Sequence, residues 1–163
     1  MKTLVLSFIL LIELIFQGTV FQYFNLNNYY PDLVLITLVS FSIIFEKEYA
    51  YKLGLIIGIL ADIIYGNVFG LHTLVYLVTT YVISLMSSNI FKENLLIPVI
   101  MFPLGALLNG SMNYLLHYLL RIDIDFWDYI SKYRHEYWIV NILGVIIIYM
   151  LTLKFIKAKL FKL

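Results

Sequence analysis

The chain has 163 residues, 63% hydrophobic and 13% charged, with mean hydropathy +0.93 and a net charge of +1. A soluble domain of this length needs a polar shell that so few charged residues cannot build, so composition predicts an integral membrane protein. Cysteine is absent, which excludes disulfides, thiolate catalysis and cysteine metal sites together.

Long apolar runs separated by short polar breaks predict six spans, at residues 3–24, 30–45, 50–65, 71–90, 95–119 and 137–156. The fold class expected is an all-α bundle of six transmembrane helices, a single membrane domain over residues 1–163, without repeats or low-complexity segments. Lys2 before the first run imitates a secretory signal. The run lacks a small-x-small cleavage site and is too long for that reading, so it is expected to remain as an anchor. Within it, Glu13 and Gln17 share a face, and a carboxyl at mid-membrane is expected to be protonated and hydrogen-bonded rather than to serve a relay.

The second span opens with Pro31-Asp32, where Pro suits a first helical turn and Asp complements the helix dipole. The second and third spans are short: residues 33–45 and 50–65 reach only about 20 to 24 Å against a hydrocarbon core of about 30 Å. They must thin the bilayer locally or be shielded by neighbours.

The third span carries a ladder at a spacing of four, Gly54, Gly58, Asp62, Gly66 and Gly70, in the stretch LGLIIGILADIIYGNVFGLHTL. Residues four apart share a helix face, so Gly54, Gly58 and Asp62 predict a groove that another helix backbone can approach closely, with a carboxylate near its end. Asp32 and Asp62 are expected at similar depth near the extracytoplasmic surface.

Polar stripes recur in the next two spans, His72, Tyr76, Thr80, Ser84 and Ser88 in the fourth and Gly105, Asn109, Asn113 and His117 in the fifth. An unmet hydrogen bond in hydrocarbon costs several kcal/mol, so these stripes are expected to face the bundle interior or a partner helix. Small and hydroxyl residues at this period are the ordinary material of membrane helix contacts, and packing is the reading preferred over ligand binding. His72, His117 and Asp62 lack a metal-site spacing, and neither a metal nor a cofactor is expected. The loop RIDIDFWDYISKYRHE, from Arg121 to Glu136, predicts a short surface-lying helix within an aromatic belt.

Orientation follows from the basic residues. With both termini cytoplasmic, Lys2, Lys47, Lys52, Lys92, Lys154, Lys157, Lys159 and Lys162 lie inside, against Arg121, Lys132 and Arg134 outside. The lysine tail is expected to meet anionic headgroups. No GxSxG, HExxH, nucleotide-binding glycine loop or spaced carboxylate pair occurs, so an enzyme is not expected, and no basic-aromatic block supports nucleic-acid binding.

The succession Pro31-Asp32-Leu33, then Gly54, Gly58, Asp62, Gly66 and Gly70-Leu71 leading into a helix with Tyr76, resembles the core of the MreD family of bacterial rod-shape determination. The resemblance covers residues 30 to 85. It implies a non-enzymatic scaffold of the cell-elongation machinery in the bacterial cytoplasmic membrane, alongside the single-span MreC, the actin-like MreB, the RodA glycan polymerase and a class B penicillin-binding transpeptidase. On that reading Gly54 and Gly58 admit a partner's transmembrane helix, while Asp62 with Asp32 or His72 fixes the outer ends of the short spans. The alternative, a substrate-binding subunit of an energy-coupling-factor vitamin transporter, would make the stripes of spans four and five a ligand pocket.

Overall fold

The structure, a computed structural model, describes residues 2–23, 31–66, 68–88, 92–123, 125–131 and 133–157. Lys132, Lys159 and Lys162 lie outside the described residues, as does the segment between the first and second spans.

All described secondary structure is helical: α1 (Lys2–Tyr23), α2 (Leu33–Ile44), α3 (Lys47–Tyr65), α4 (Leu71–Met86), α5 (Leu96–Leu119), the short α6 (Phe126–Ser131) and α7 (His135–Lys157). Each run expected to span has a helix, and the expected short helix in the Arg121–Glu136 loop is α6. Among the described residues, Leu96–Leu119 and His135–Phe155 are long and apolar enough to cross a bilayer by themselves. The outer surface is apolar as well, with Phe8, Ile63, Leu96, Leu107, Ile139 and Ile147 exposed on four helices.

Two boundaries differ from expectation for identifiable reasons. Pro31 is not in the first turn of α2, because the Asp32 carboxylate accepts the Leu35 N–H at 3.3 Å and so makes Asp32 the N-cap and Pro31 the residue before it. The third helix begins at Lys47, since the polar residues before the apolar run continue the helix and pair Glu48 with Lys52 at 3.5 Å. The fourth ends at Met86, four residues short of its expected limit.

Why α2 can be so short is answered by its place. Its 12 residues rise only about 18 Å, yet Val34 through Phe45 are all buried, because α1, α3, α4, α5 and α7 surround it. Its sequence, LVLITLVSFSII, has no polar face, as expected of a helix buried on every side. Shielding by neighbours is therefore the arrangement found.

Opposite faces of α2 serve two cores. Val34, Leu38, Phe41 and Phe45 pack with Leu6, Leu10 and Leu14 of α1 and Leu53, Ile57 and Ala61 of α3. Leu35, Ile36, Val39, Ile43 and Ile44 pack with Ile83 of α4, Met101, Phe102 and Ala106 of α5, and Val145 and Tyr149 of α7.

A buried helix must still satisfy the backbone groups at its ends. At the C-terminal end, Lys92 Nζ donates to the Ile44 carbonyl at 2.9 Å and Ser87 Oγ to the Ser42 carbonyl at 3.2 Å. Tyr149 OH holds the Lys92 carbonyl at 2.6 Å. Within the helix, Ser40 and Ser42 donate to the Ile36 and Leu38 carbonyls, so neither hydroxyl is left unmet in the core.

Candidate functional site

The glycine ladder does bring a helix backbone close, but the helix is the chain's own α4. A Cβ built on Gly58 would collide with Thr73 Cα and stand 3.0 Å from Thr73 N, and one on Gly54 would strike the Thr80 hydroxyl and stand 3.0 Å from the Tyr76 carbonyl. The groove is thus filled from within, by α4, where a partner's helix was expected. The reason is connectivity: α4 follows α3 through a brief turn, and the antiparallel neighbour reaches the small-residue face first.

Asp62 closes that hairpin. It sits in the last turn of α3, buried to 3% exposure, and its carboxylate crosses to the first turn of α4. There Oδ2 accepts from Gly70 N at 2.9 Å, Thr73 N at 3.1 Å and Thr73 Oγ1 at 2.5 Å, while Oδ1 accepts from His72 N at 2.8 Å. His72 Nδ1 adds a contact of 3.0 Å to Oδ1. The carboxylate thereby satisfies backbone donors that every helix start leaves open and meets the positive end of the α4 dipole. Gly70, at φ +99°, cannot cap α4 with a side chain, and Asp62 does so from the preceding helix. Gly66 ends α3 by donating its N–H to the Asp62 carbonyl at 3.0 Å.

The second acidic residue ties three other segments together. Asp32 Oδ1 accepts from Gln17 Nε2 of α1 at 3.2 Å, and Gln17 Oε1 accepts from Val34 N at 3.3 Å. The Asp32 N–H donates to Asn141 Oδ1 of α7 at 2.7 Å, and Asn141 Nδ2 donates to the Tyr137 carbonyl at 2.7 Å. Sequence reasoning did not single out Asn141. The available signal was one amide in the otherwise apolar run VNILGVIII, and its full burial shows why it is there.

Between these two anchor points lies a polar cavity of about 250 Å³, lined by Gln17, Asp32, Tyr65, His72, Tyr76 and Asn109 among others. Asp32 and His72 therefore face one space, and Asp62 supports it from behind through His72. Asn113, also on the cavity wall, donates from Nδ2 to Asn109 Oδ1 at 3.3 Å, and Asn109 Nδ2 is buried without a partner.

The polar stripes thus divide by depth. His72, Tyr76, Asn109 and Asn113 line the cavity, whereas Thr80 and Ser84 donate to carbonyls of their own helix and Gly105 packs against Val39. His117 Nδ1 donates to the Asn113 carbonyl at 2.7 Å. Among the described residues, no three His, Cys, Asp or Glu side chains gather as a metal site.

Beyond α5, the aromatic loop forms a chain of ring contacts, Tyr114 with Phe126 and Tyr129, then Tyr129 with Tyr133, and Tyr133 with Tyr137. Tyr129 OH donates to the Gly110 carbonyl at 2.7 Å and fastens α6 to α5. Burial pushes the hydroxyls of Tyr129 and Tyr133 up from the usual tyrosine value, so both stay protonated as hydrogen-bonding groups.

Neither the curated proteins nor the solved structures contain a match to this chain. The family model described as MreD, rod shape-determining protein MreD, matches residues 1–161. With nearly its whole length matched, the chain belongs to the MreD family of membrane proteins, whose members take part in rod-shape determination.

Proposed function

We propose that this chain is a non-enzymatic, multi-pass scaffold of the bacterial cytoplasmic membrane, crossing it six times with both termini cytoplasmic. In that role it binds an MreC-like single-span protein and, within one complex with MreB, RodA and a class B penicillin-binding transpeptidase, helps organise peptidoglycan synthesis. The family match over residues 1–161 carries the reading. Supporting it, Asp32, Asp62, Gln17 and Asn141 are all engaged in tying helices to one another. Such a use of polar groups suits a rigid platform, and a rigid platform is what a scaffold must offer.

Isolation from the native membrane in mild detergent after light in-cell crosslinking tests the proposal. Recovery of an MreC-like single-span protein with cell-wall synthases supports it. Recovery of paired transporter ATPases with a coupling subunit overturns it in favour of a vitamin-binding transport subunit. One observation favours that second reading, the 250 Å³ polar cavity with the unpartnered Asn109 amide on its wall.

A further inference from the structure

Glu13 is the twelfth of the 22 residues of α1, at the middle of the helix, and is the one carboxylate at that depth of α1. Its Oε1 accepts a hydrogen bond from Thr37 Oγ1 of α2 at 3.0 Å, whereas Oε2 is buried and has no partner. An unmet carboxyl oxygen among hydrocarbon is costly in either protonation state: ionised it lacks a donor, and protonated it lacks an acceptor.

Glu13 lines a cleft of about 170 Å³. Helices α1 and α7 both pack on α2, and the cleft opens between them. Thr37 and Phe41 of α2 form its buried floor, while Ile9 of α1 and Leu151 and Phe155 of α7 form exposed lips at 36%, 48% and 47% exposure. Neither hydroxyl of the cleft is free to donate to Oε2, because Thr37 donates to Oε1 and Thr152 donates to the Ile148 carbonyl at 2.7 Å.

We infer that the α1–α7 cleft is a docking site for a partner transmembrane helix that inserts an amide side chain, Asn or Gln, at mid-bilayer depth to hydrogen-bond Glu13 Oε2. Three features select this occupant. A lipid acyl chain fills apolar space but carries no hydrogen-bonding group at this depth. A lysine or arginine would bring a full charge into a cleft whose remaining walls are apolar but for the two engaged threonine hydroxyls. An amide offers both a donor and an acceptor, and so satisfies Oε2 whether Glu13 is ionised or protonated. The cleft is too small for a helix and accommodates one side chain of a helix lying across its lips. This surface is separate from the polar cavity and from the glycine ladder, so it stands whether or not the shape-complex reading holds.

The test uses the full chain in vesicles of phosphatidylethanolamine and phosphatidylglycerol, with a photo-crosslinking residue at Leu151 or, as a control on another face, at Ile63. The probe is a labelled leucine-rich transmembrane peptide with one central Asn, compared with the same peptide carrying Leu there. Labelling at Leu151 is expected to favour the Asn peptide roughly tenfold, in line with polar association of model membrane helices. Glu13→Gln should keep the preference and Glu13→Leu should lose it. Moving the Asn two turns towards either end of the peptide should also abolish it, which tests depth without altering the protein. Equal labelling by both peptides, equal labelling at Ile63, a preference untouched in Glu13→Leu, or crosslinking of Leu151 chiefly to a second copy of the chain would each overturn the inference.

Discussion

The Asp62 carboxylate accepts the main-chain N–H of His72 at 2.8 Å and meets the same residue's Nδ1 at 3.0 Å, so a side chain in the last turn of α3 caps the first turn of α4. Asp62→Asn keeps the size but turns one oxygen into a donor that faces either the donors of Gly70 and Thr73 or that of His72. It is expected to lower stability by about 2 to 4 kcal/mol, the scale of leaving buried donors unsatisfied and unpairing a buried charge. Thermal unfolding in detergent measures this, and an unchanged midpoint would remove Asp62 from its capping role.

The glycines of the ladder should not be equivalent. At Gly58 the obstacle is backbone, and Gly58→Ala is expected to be worse than Gly54→Ala, where the nearest atom belongs to the Thr80 side chain. Gly70→Ala meets nothing within 4 Å, and its expected cost of about 1 kcal/mol comes from the left-handed backbone alone. The ranking of unfolding temperatures across the three variants checks the argument, and a Gly54 variant less stable than the Gly58 variant would contradict it.

Asn141→Leu removes the acceptor of the Asp32 N–H and should destabilise the chain by about 1 to 3 kcal/mol, despite the greater hydrophobicity of leucine. Because Asp32 also holds Gln17, Gln17→Leu and Asn141→Leu are expected to be non-additive. A double-mutant cycle on unfolding free energies gives the coupling directly, and strict additivity would mean that the two bonds do not cooperate.

The absence of native cysteine makes topology easy to probe. Single cysteines at Glu48, in the first turn of α3, and at Asp123, between α5 and α6, should lie on opposite sides of the membrane. A membrane-impermeant maleimide is expected to label Asp123→Cys in spheroplasts, but Glu48→Cys only after permeabilisation. The reverse pattern would invert the orientation drawn from the lysines.

The two tryptophans should report different surroundings. Trp127 on α6 is 75% exposed, whereas Trp138 is partly buried and donates from Nε1 to the Tyr133 carbonyl at 3.2 Å. If α6 lies at the membrane surface, brominated lipids should quench Trp138→Phe, which retains Trp127, most strongly when bromine is near the headgroups. Strongest quenching from bromine at the chain ends would place α6 deeper than an aromatic belt.

Hydropathy by itself determined where the helices are, because the cost of exposing backbone polar groups to hydrocarbon acts on each run locally and leaves an apolar stretch little choice but helix. It also marked Asp32, Asp62 and His72, since polar residues in such runs need a reason to be there. The spacing of Gly54 and Gly58 likewise fixed that a helix would come close, while leaving open whose helix it was. Only the tertiary structure decided that the occupant is α4, that the short α2 is the centre of the bundle, and that Asn141, more than a hundred residues away, receives the Asp32 N–H. These are choices of partner among helices of nearly equal hydrophobicity, and in such a set steric fit and hydrogen-bond geometry between distant segments discriminate where local composition cannot.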